Sequence, residues 1–379
     1  MKLIHLSDLH LGKRLREYNL LEDQEYILTR IINIIDEEKP DGVIIAGDVY
    51  DKSVPSAEAV RLFDDFIFRL SKRGLSVFVI SGNHDSPERV AYLGRVAEKA
   101  GVYFSPVYSG DIRPIQLEDE LGSVNIYLLP FIKPALVKHF FPDEEIKSYT
   151  DAVTAAVKHM GIDTAQRNVL VTHQFITNSV TCESEEVSVG GADNVDASAV
   201  AEFDYVALGH LHVPQNCGSE HIRYCGTPLK YSFSEAKDSK SVTVVELAEK
   251  GSLSLRTIPL VPKRDMVDIR GSFEEVMRKE FYEGTSWQED YVRITLTDED
   301  TVADAYSRLR VVYRKLMLIQ YDNKRTKTQQ RITAAENVRQ KSELELFAEL
   351  FEKQNNMPMN EAQREYMERI IAEIKEVQA

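Results

Sequence analysis

Cysteine is scarce in this sequence, and no long apolar run is present. The three cysteines, Cys182, Cys217 and Cys225, form no CxxC pair, so reduced thiols are expected rather than a disulfide or a zinc–cysteine site. No stretch of about 18 apolar residues occurs, and this excludes a membrane-spanning helix. The first predicted strand begins at Lys2 with no apolar leader before it, so we expect no secretion signal and a cytoplasmic location.

Positive charge is also in short supply. The chain has 46 Lys and Arg residues against 61 Asp and Glu residues, which gives a formal net charge of −15 at pH 7. Because Lys and Arg supply most non-specific affinity for nucleic acids, this balance predicts weak DNA binding by the chain alone. A metal-dependent enzyme needs fewer Lys and Arg residues to bind a phosphate, because its divalent cations bring positive charge to the substrate. Its acidic ligands also add to the negative count.

The order of the predicted elements divides the chain into three parts. Short β-branched runs alternate with helical patterns over residues 1–262, and this alternation predicts an α/β unit built as a layered sandwich. A linker at 259–262, bounded by two prolines, precedes a smaller β-α-β-α-β pattern over residues 263–322. Residues 323–379 carry no convincing strand, so this segment is expected to be helical.

Capping residues predict where several helices begin. Ser56 follows Pro55 and precedes a helix that ends near Gly74. Ser86, with Pro87 at the first helical position and Gly101 beyond the end, predicts another helix. Asn360 is expected to cap the last helix. Two apolar stripes in the terminal segment either pack on their own domain or dock another chain's helices; they consist of Leu344, Phe347 and Phe351, and of Tyr366, Ile370, Ile374 and Val377.

Seven potential metal ligands lie just beyond five short apolar runs. They are Asp8, His10, Asp48, Asn83, His173, His210 and His212. Ligands gather beyond the carboxyl ends of strands in an α/β sheet, so five loops are expected to bring these side chains to one place. Each motif alone is weak, but the ordered series predicts a metal centre. Imidazole and carboxylate ligands suit manganese, zinc or iron. His5, inside the first strand, is expected to be a core residue instead.

The series Asp8-Leu9-His10, Gly47-Asp48, Gly82-Asn83-His84, Thr172-His173 and Gly209-His210-Leu211-His212 resembles the calcineurin-like metallophosphoesterases. The resemblance implies a two-sheet αββα sandwich that holds two metal ions. It places Asp8, His10 and His212 on one ion. It places Asn83, His173 and His210 on the other ion, with Asp48 bridging the pair. Such a carboxylate would screen the repulsion between two dications roughly 3.5–4 Å apart.

The same resemblance assigns two residues to catalysis. His84 directly follows the ligand Asn83 and is the expected general acid or charge stabiliser for the leaving alkoxide. The acidic partner of this histidine in the family matches Asp51 here. An adjacent carboxylate would favour the imidazolium form of His84.

Three longer motifs narrow the resemblance to the SbcD branch, whose members are bacterial nuclease subunits that work with an SbcC ATPase. These motifs span residues 5–12, 209–215 and 224–235. The branch implies manganese-stimulated cleavage of DNA, exonucleolytic on duplex ends and endonucleolytic on single strands or hairpins, in DNA repair, recombination or replication. It also implies a homodimer joined to two ATPase subunits. Residues 263–322 would then be an α+β capping domain, and the terminal helices would dock the partner's coiled coil.

Some alternatives stay open at this point. Lys13, Arg14 and Arg16 follow His10 and are expected to contact the DNA backbone, although a solvated face is an equally good interpretation. A small-molecule phosphodiesterase would use the same ligands but has no evident need for the terminal helices. A non-catalytic scaffold of the same fold is disfavoured because the ligand set and His84 are complete.

Overall fold

A computed structural model describes residues 1–176 and 193–323, together with residues 344, 347, 348, 351, 359–361, 363, 364, 366, 367 and 369–371. The chain forms two compact units. The first comprises Met1–Asp268, Thr285–Arg293 and Tyr313–Met317. The second comprises Ile269–Gly284, Ile294–Val312 and the described residues from Leu318 onward.

The strands of the described part of the chain are β1 (Lys2–Leu6), β2 (Arg14–Leu15), β3 (Tyr18–Asn19), β4 (Gly42–Ala46), β5 (Ser76–Ile80), β6 (Val102–Phe104), β7 (Ile115–Asp119), β8 (Gly122–Leu129), β9 (Arg167–Thr172), β10 (Phe175–Ile176), β11 (Asn194–Val195), β12 (Tyr205–Leu208), β13 (Gln215–Cys217), β14 (Ser219–Tyr224), β15 (Ser241–Leu247), β16 (Leu253–Pro259), β17 (Met266–Gly271), β18 (Tyr291–Leu296) and β19 (Lys315–Tyr321). The α-helices are α1 (Leu21–Glu38), α2 (Ala57–Ser71), α3 (Pro87–Val90), α4 (Gly94–Ala97), α5 (Pro134–Phe140), α6 (Tyr149–Lys158), α7 (Phe273–Met277), α8 (Lys279–Tyr282) and α9 (Ala305–Arg310).

Two six-stranded sheets make up most of the first unit. One has the order β16-β15-β1-β4-β5-β6, with β1, β4, β5 and β6 parallel to one another. The other has the order β13-β14-β12-β9-β8-β7, and β14, β12, β9 and β8 are parallel. The carboxyl ends of parallel strands therefore lie together at one edge of each sheet.

Three apolar clusters show that the sheets are covered on both faces. Alternate residues of β1 and β4 point to opposite sides, as the two-residue period of a strand requires. Leu3 and Ile44 pack between the sheets with Ile126 and Val171 of the second sheet. Ile4 and its neighbours on the outer face of the first sheet pack with α1 and α2, and the outer face of the second sheet packs with α6. This order of layers is the predicted αββα sandwich.

A smaller sheet has the order β17-β18-β19. Helices α7 and α8 follow the first of these strands, and α9 precedes the last, so the element order is the predicted β-α-β-α-β. Val276 of α7 and Leu309 of α9 are fully buried within the second unit. The assignment of residues 263–322 as a separate capping domain stays a prediction.

Most of the predicted helix starts are confirmed, but one helix is broken. The Ser56 side chain accepts a hydrogen bond from the amide of Ala59 at 3.3 Å and caps α2. The capping residues predict a single helix from Ser86 to Gly101, and this prediction is wrong. The segment forms α3, α4 and a short 3-10 turn, because Leu93 takes a left-handed conformation with φ 59°.

The terminal segment is described only at scattered positions. The Asn360 side chain accepts from the amide of Gln363 at 2.9 Å, and the Gln363 side chain accepts from the amide of Asn360 at 3.0 Å. This reciprocal pair is a capping box, so the predicted cap is confirmed. Ile374 and Val377 of the predicted stripe lie outside the described residues, as does Cys182. Cys217 and Cys225 are buried and form no disulfide within the described part of the chain. No described helix is long and apolar enough to span a membrane.

His5 is a core residue, as predicted, and its burial affects its protonation. The side chain is 0% exposed, and its Nδ1 lies 2.8 Å from the hydroxyl of Tyr205. Burial, assisted by the positive charge of Arg223, lowers the pKa of His5 to about 3. The folded protein therefore keeps this imidazole neutral at pH values where the unfolded chain would protonate it.

We expect His5 to make the protein sensitive to acid. The unfolded chain takes up the proton near pH 6.5 and the folded chain only near pH 3, so stability falls as the pH drops below about 6.5. Between pH 7 and pH 5 the wild type should lose about 2 kcal/mol more unfolding free energy than His5→Leu. Urea unfolding at both pH values measures this difference. The exposed His139→Leu is the control, and equal losses in wild type and His5→Leu would contradict the assignment.

Candidate metal centre

The seven predicted ligands lie in loops at the carboxyl ends of parallel strands of both sheets. In the first sheet, Asp8 and His10 follow β1, Asp48 follows β4 and Asn83 follows β5. In the second sheet, His173 follows β9, and His210 and His212 follow β12. The two sheets therefore contribute ligands to one place, as the sequence predicts.

The backbone of these loops is unusual. Asp8, His10, Asp48 and His210 have φ values of 53°, 43°, 48° and 104°, a region that costs a non-glycine residue of order 1–3 kcal/mol. Hydrogen bonds between the loops hold two of these residues: Asp8 N donates to Gly47 O at 3.0 Å, and His10 N donates to Asp48 O at 2.9 Å. Such strain is typical of sites whose side chains must converge.

Two glycines let the loops approach each other closely. A Cβ atom at position 209 would lie 1.9 Å from the carbonyl oxygen of Ala46. A Cβ atom at position 82 would lie 2.1 Å from Oδ1 of Asp48. No side chain larger than hydrogen fits at either position, so both glycines are required for the geometry of the site.

Asp8, His10 and His212 form the first group of ligands. One donor atom from each lies within 4.8 Å of the others, and all three residues are buried. The Nε2 atoms of His10 and His212 are only 3.2 Å apart. His210 donates its backbone N–H to Oδ1 of Asp8 at 3.0 Å, and Ser7 donates its hydroxyl to Oδ2.

Asn83, His173 and His210 form the second group. Oδ1 of Asn83 lies 3.1 Å from Nε2 of His173 and 3.1 Å from Nδ1 of His210. The other ring nitrogen of His173, Nδ1, donates to the carbonyl oxygen of Ala46 at 2.8 Å. This bond fixes the tautomer of His173 and leaves Nε2 as the atom that faces the site.

Asp48 lies between the two groups. Its Oδ2 is 3.3 Å from Nε2 of His173 and 3.7 Å from Nε2 of His10. The backbone N–H of His84 donates to its Oδ1 at 3.0 Å. A carboxylate in this position can be shared by two ions.

The electrostatics of the site fit divalent cations. Burial raises the pKa of Asp8 to about 7 and lowers the pKa of His210 to about 3. For Asp48, burial acts in the opposite direction, but the positive charge of the protonated His173 ring holds the pKa well below its usual range. Buried carboxylates need a cation, and neutral imidazoles offer lone pairs. The described donors therefore suit a divalent metal.

His84 lies beside the metal ligands, but its contact with Asp51 differs from the expected one. The His84 side chain is 16% exposed, and its Nε2 lies 3.9 Å from Oδ2 of Asp48. Its Nδ1 lies 3.3 Å from the main-chain carbonyl oxygen of Asp51, not from the carboxylate. The Asp51 carboxylate instead accepts a hydrogen bond from Lys13 at 2.7 Å. The ammonium group of Lys13, rather than the imidazole of His84, is therefore the close partner of this carboxylate.

The three basic residues after His10 have different surroundings. The Lys13 side chain is only 14% exposed and is bound to Asp51, so it belongs to the rim of the metal site. Arg14 and Arg16 are exposed on the segment that contains β2 and the turn to β3. Of the three, these two arginines present their positive charge to solvent.

Three buried residues outside the predicted ligand set support the ligand loops. Gln24 donates to the carbonyl oxygen of His10 at 2.7 Å. Asp85 accepts hydrogen bonds from the backbone amides of three loop residues at 2.9–3.0 Å. Glu235 lies 3.8 Å from Nδ1 of His212. The motif that contains Glu235 contributes to the family resemblance, but nothing in its local sequence indicates a contact with the metal site.

Comparison with known proteins agrees with this geometry. Residues 1–214 match the calcineurin-like phosphoesterase family, and residues 262–355 match the type 5 capsule protein repressor C-terminal domain. Because the first match covers more than half of the chain, the protein is a calcineurin-like phosphoesterase.

Two curated relatives narrow the class. The SbcD component of the nuclease SbcCD from Staphylococcus epidermidis is 34% identical over 323 residues, covering 84% of this chain and 85% of that protein. The protein of the same name from Staphylococcus saprophyticus is 33% identical over 317 residues, covering 83% and 82%. Within the calcineurin-like class, the chain belongs to the SbcD family. A solved dimetal phosphatase from Danio rerio is a distant structural neighbour, with a TM-score of 0.40 at 10% identity, covering 69% of this chain and 96% of its own.

Proposed function

We propose that this protein is a two-metal DNA nuclease that degrades duplex ends exonucleolytically and cuts single strands or hairpins endonucleolytically. One observation carries the proposal: two groups of metal donors meet around Asp48, and His84 lies directly beside them. The nuclease names of the two Staphylococcus relatives support the choice of DNA as the substrate. No described feature favours the alternative of a small-molecule phosphodiesterase.

Each residue of the site has a defined role in this proposal. Asp8, His10 and His212 would hold one ion, Asn83, His173 and His210 would hold the other, and the Asp48 carboxylate would be available to both. Bound divalent ions supply a neutral-pH nucleophile from water and neutralise the charge of the phosphate. His84 donates its Nδ1–H to the carbonyl of Asp51, so Nε2 is the atom that delivers a proton to the leaving oxygen.

The proposal extends to the metal and the partners. Manganese is the expected metal, because the resemblance to the SbcD branch implies manganese-stimulated cleavage; oxygen and imidazole ligands without thiolate are compatible with it, as they are with zinc or iron. An SbcC-type ATPase is the expected partner, since the relatives are named as components of an SbcCD nuclease. A homodimer within a heterotetramer is supported by three apolar side chains exposed within one short segment: Tyr92 (74%), Leu93 (59%) and Val96 (64%). Action in DNA repair, recombination or replication, and a cytoplasmic location, stay predictions.

A direct assay tests the function. The purified chain is incubated with manganese and either labelled duplex DNA, labelled hairpin DNA or a cyclic nucleotide, with and without the candidate ATPase. Degradation of both DNAs, with the cyclic nucleotide intact, is the expected result. Hydrolysis of the cyclic nucleotide alone would favour the small-molecule alternative. Full metal occupancy without hydrolysis of any substrate would favour a non-catalytic scaffold.

Lys13, Arg14 and Arg16 are proposed to contact the DNA backbone, and the two exposed arginines can be tested without disturbing the rim of the metal site. The double variant Arg14→Ala/Arg16→Ala should weaken DNA binding and lower the slope of log K against log salt by about two, since each phosphate contact contributes about 0.9. Hydrolysis of a small phosphodiester, such as bis-p-nitrophenyl phosphate, should not change. Fluorescence anisotropy over a salt series measures the slope.

A charge-matched control accompanies this test. Arg61→Ala/Arg113→Ala removes two exposed arginines that pair with Glu58 and Asp111 on other surfaces. If both double variants change the salt dependence equally, the arginines after His10 have no specific role in binding DNA.

A further inference from the structure

Glu235 is a buried carboxylate next to a metal ligand. It ends a short 3-10 helix at Phe233–Glu235 and is 0% exposed. Its Oε1 accepts from the amide of Tyr231 at 3.2 Å and from the hydroxyl of Ser232 at 3.0 Å. The same oxygen lies 3.8 Å from Nδ1 of His212, while the other ring nitrogen, Nε2, faces His10 in the metal site.

Lys240 connects this carboxylate to the main chain of the same histidine. Its side chain is only 3% exposed. Nζ donates to Oε2 of Glu235 at 2.6 Å and to the carbonyl oxygen of His212 at 2.8 Å. The backbone N–H of Thr227 donates to the same carbonyl at 3.2 Å. One buried ion pair therefore contacts both the ring and the main chain of His212.

The packing leaves this carbonyl little freedom. A Cβ atom at position 226 would lie 2.6 Å from the His212 carbonyl oxygen, so the backbone of Gly226 is packed directly against it. Because Lys240 and Thr227 both donate to that oxygen, His212 is held by its surroundings even without an ion. Burying an ion pair costs desolvation energy, and a plain apolar contact would often be equally stable. The charges are therefore explained better by a need for orientation than by a need for stability.

We propose that Glu235 and Lys240 are positioning residues that orient His212 toward the ion shared with Asp8 and His10. The inference rests on the proposed two-metal function. A carboxylate on the far nitrogen of a metal-binding histidine fixes its tautomer and orientation, and mutation of such a partner typically lowers metal affinity 10–100-fold. The Glu235 carboxylate favours the Nδ1–H tautomer of His212, which keeps the Nε2 lone pair directed at the ion.

The effect should be confined to one of the two ions. The second group is supported by contacts that do not involve Glu235 or Lys240: Nδ1 of His173 donates to the carbonyl oxygen of Ala46, and the amide of His210 donates to Asp8. The described hydrogen bonds of Glu235 and Lys240 lead instead to the His212 carbonyl and to residues 227–232. A positioning role predicts lower affinity for one ion only, whereas a general loss of folding would lower the affinity for both ions.

The main test removes both charges together, so that no unpaired charge stays buried. We expect Glu235→Gln/Lys240→Met to remain folded, to bind one manganese ion with wild-type affinity and to bind the other 10–100-fold more weakly. Isothermal titration calorimetry measures both affinities. Electron paramagnetic resonance at two equivalents of manganese should show a spin-coupled pair in the wild type and mostly single ions in the variant.

A milder variant and a matched control complete the design. Glu235→Asp keeps the charge beside Lys240 but withdraws the carboxylate from His212, and it should show the same selective loss. Asp204→Asn/Lys250→Met removes an ion pair of 2.7 Å that touches no proposed metal ligand among the described contacts, and it should bind both ions normally.

The possible outcomes are distinct. If Glu235→Asp and the double variant bind both ions as tightly as the wild type, the positioning role is overturned. If affinity for both ions falls equally, the pair has only a structural role. If the wild type itself fails to bind two ions, the proposed function fails, independently of the result for Glu235.

Discussion

His84→Ala is expected to lower DNA hydrolysis by a factor of about 10²–10⁴ while both metal ions remain bound. The reason is that the backbone N–H of His84 donates to Oδ1 of Asp48 at 3.0 Å, and alanine preserves that bond. In the proposed mechanism the ring supplies the proton for the leaving oxygen, and alanine cannot supply it. Single-turnover cleavage of duplex DNA and calorimetric titration with manganese measure the two quantities separately.

His139→Ala serves as the control, because His139 is exposed and lies outside the metal site. A variant of His84 that retains near-normal cleavage with two bound ions would remove the histidine from the chemistry. A variant that loses the ions would show instead that the ring is a ligand. Asp51→Ala tests whether His84 depends on the Asp51 carboxylate, because the main-chain carbonyl that contacts His84 is kept in this variant.

Asp48→Asn is expected to have an even larger effect, because it alters the carboxylate that is proposed to be shared by both ions. Mutation of a residue that only contacts a metal ligand typically lowers metal affinity 10–100-fold. Loss of this carboxylate should therefore lower the affinity for at least one ion by more than about 100-fold. DNA cleavage should fall below detection at ordinary metal concentrations. Metal content after gel filtration and the cleavage rate are the two measurements.

The matched control for this change is Asp36→Asn, an exposed carboxylate paired with Arg73 on the surface of the protein. Cleavage by Asp48→Asn at the wild-type rate, with two tightly held ions, would contradict the shared position of Asp48. Recovery of activity at high manganese would support it, since mass action can restore a weakened site.

The loop positions of the proposed ligands could be predicted because each one depends on a local pattern. The apolar runs of β1, β4, β5, β9 and β12 identify strands, and the ligands follow them directly in the chain. The sandwich follows from the same alternation. The cap at Asn360 was also predictable, because a capping box involves residues only three positions apart.

Other features of the site could not be predicted, because they depend on contacts between residues that are far apart in the sequence. The carboxylate of Asp51 pairs with Lys13, 38 residues away in the chain, and this leaves only a carbonyl for His84. Lys240 meets the carbonyl of His212 across 28 residues. The break at Leu93 replaces a helix that its capping residues predict, because a left-handed residue interrupts the chain between the two caps. Contacts between distant parts of the chain decided the first two of these outcomes.

Because the proposed ligands come from two different sheets, metal binding should affect the stability of the protein. Asp8, Asp48 and Asn83 belong to loops of one layer, and His173, His210 and His212 belong to loops of the other. A cation held by both layers cross-links them, and its binding free energy is added to the stability of the folded state by mass action. Metal starvation would then make the protein more susceptible to proteolysis and also abolish its activity. The cellular abundance of the protein would therefore follow the supply of the ion.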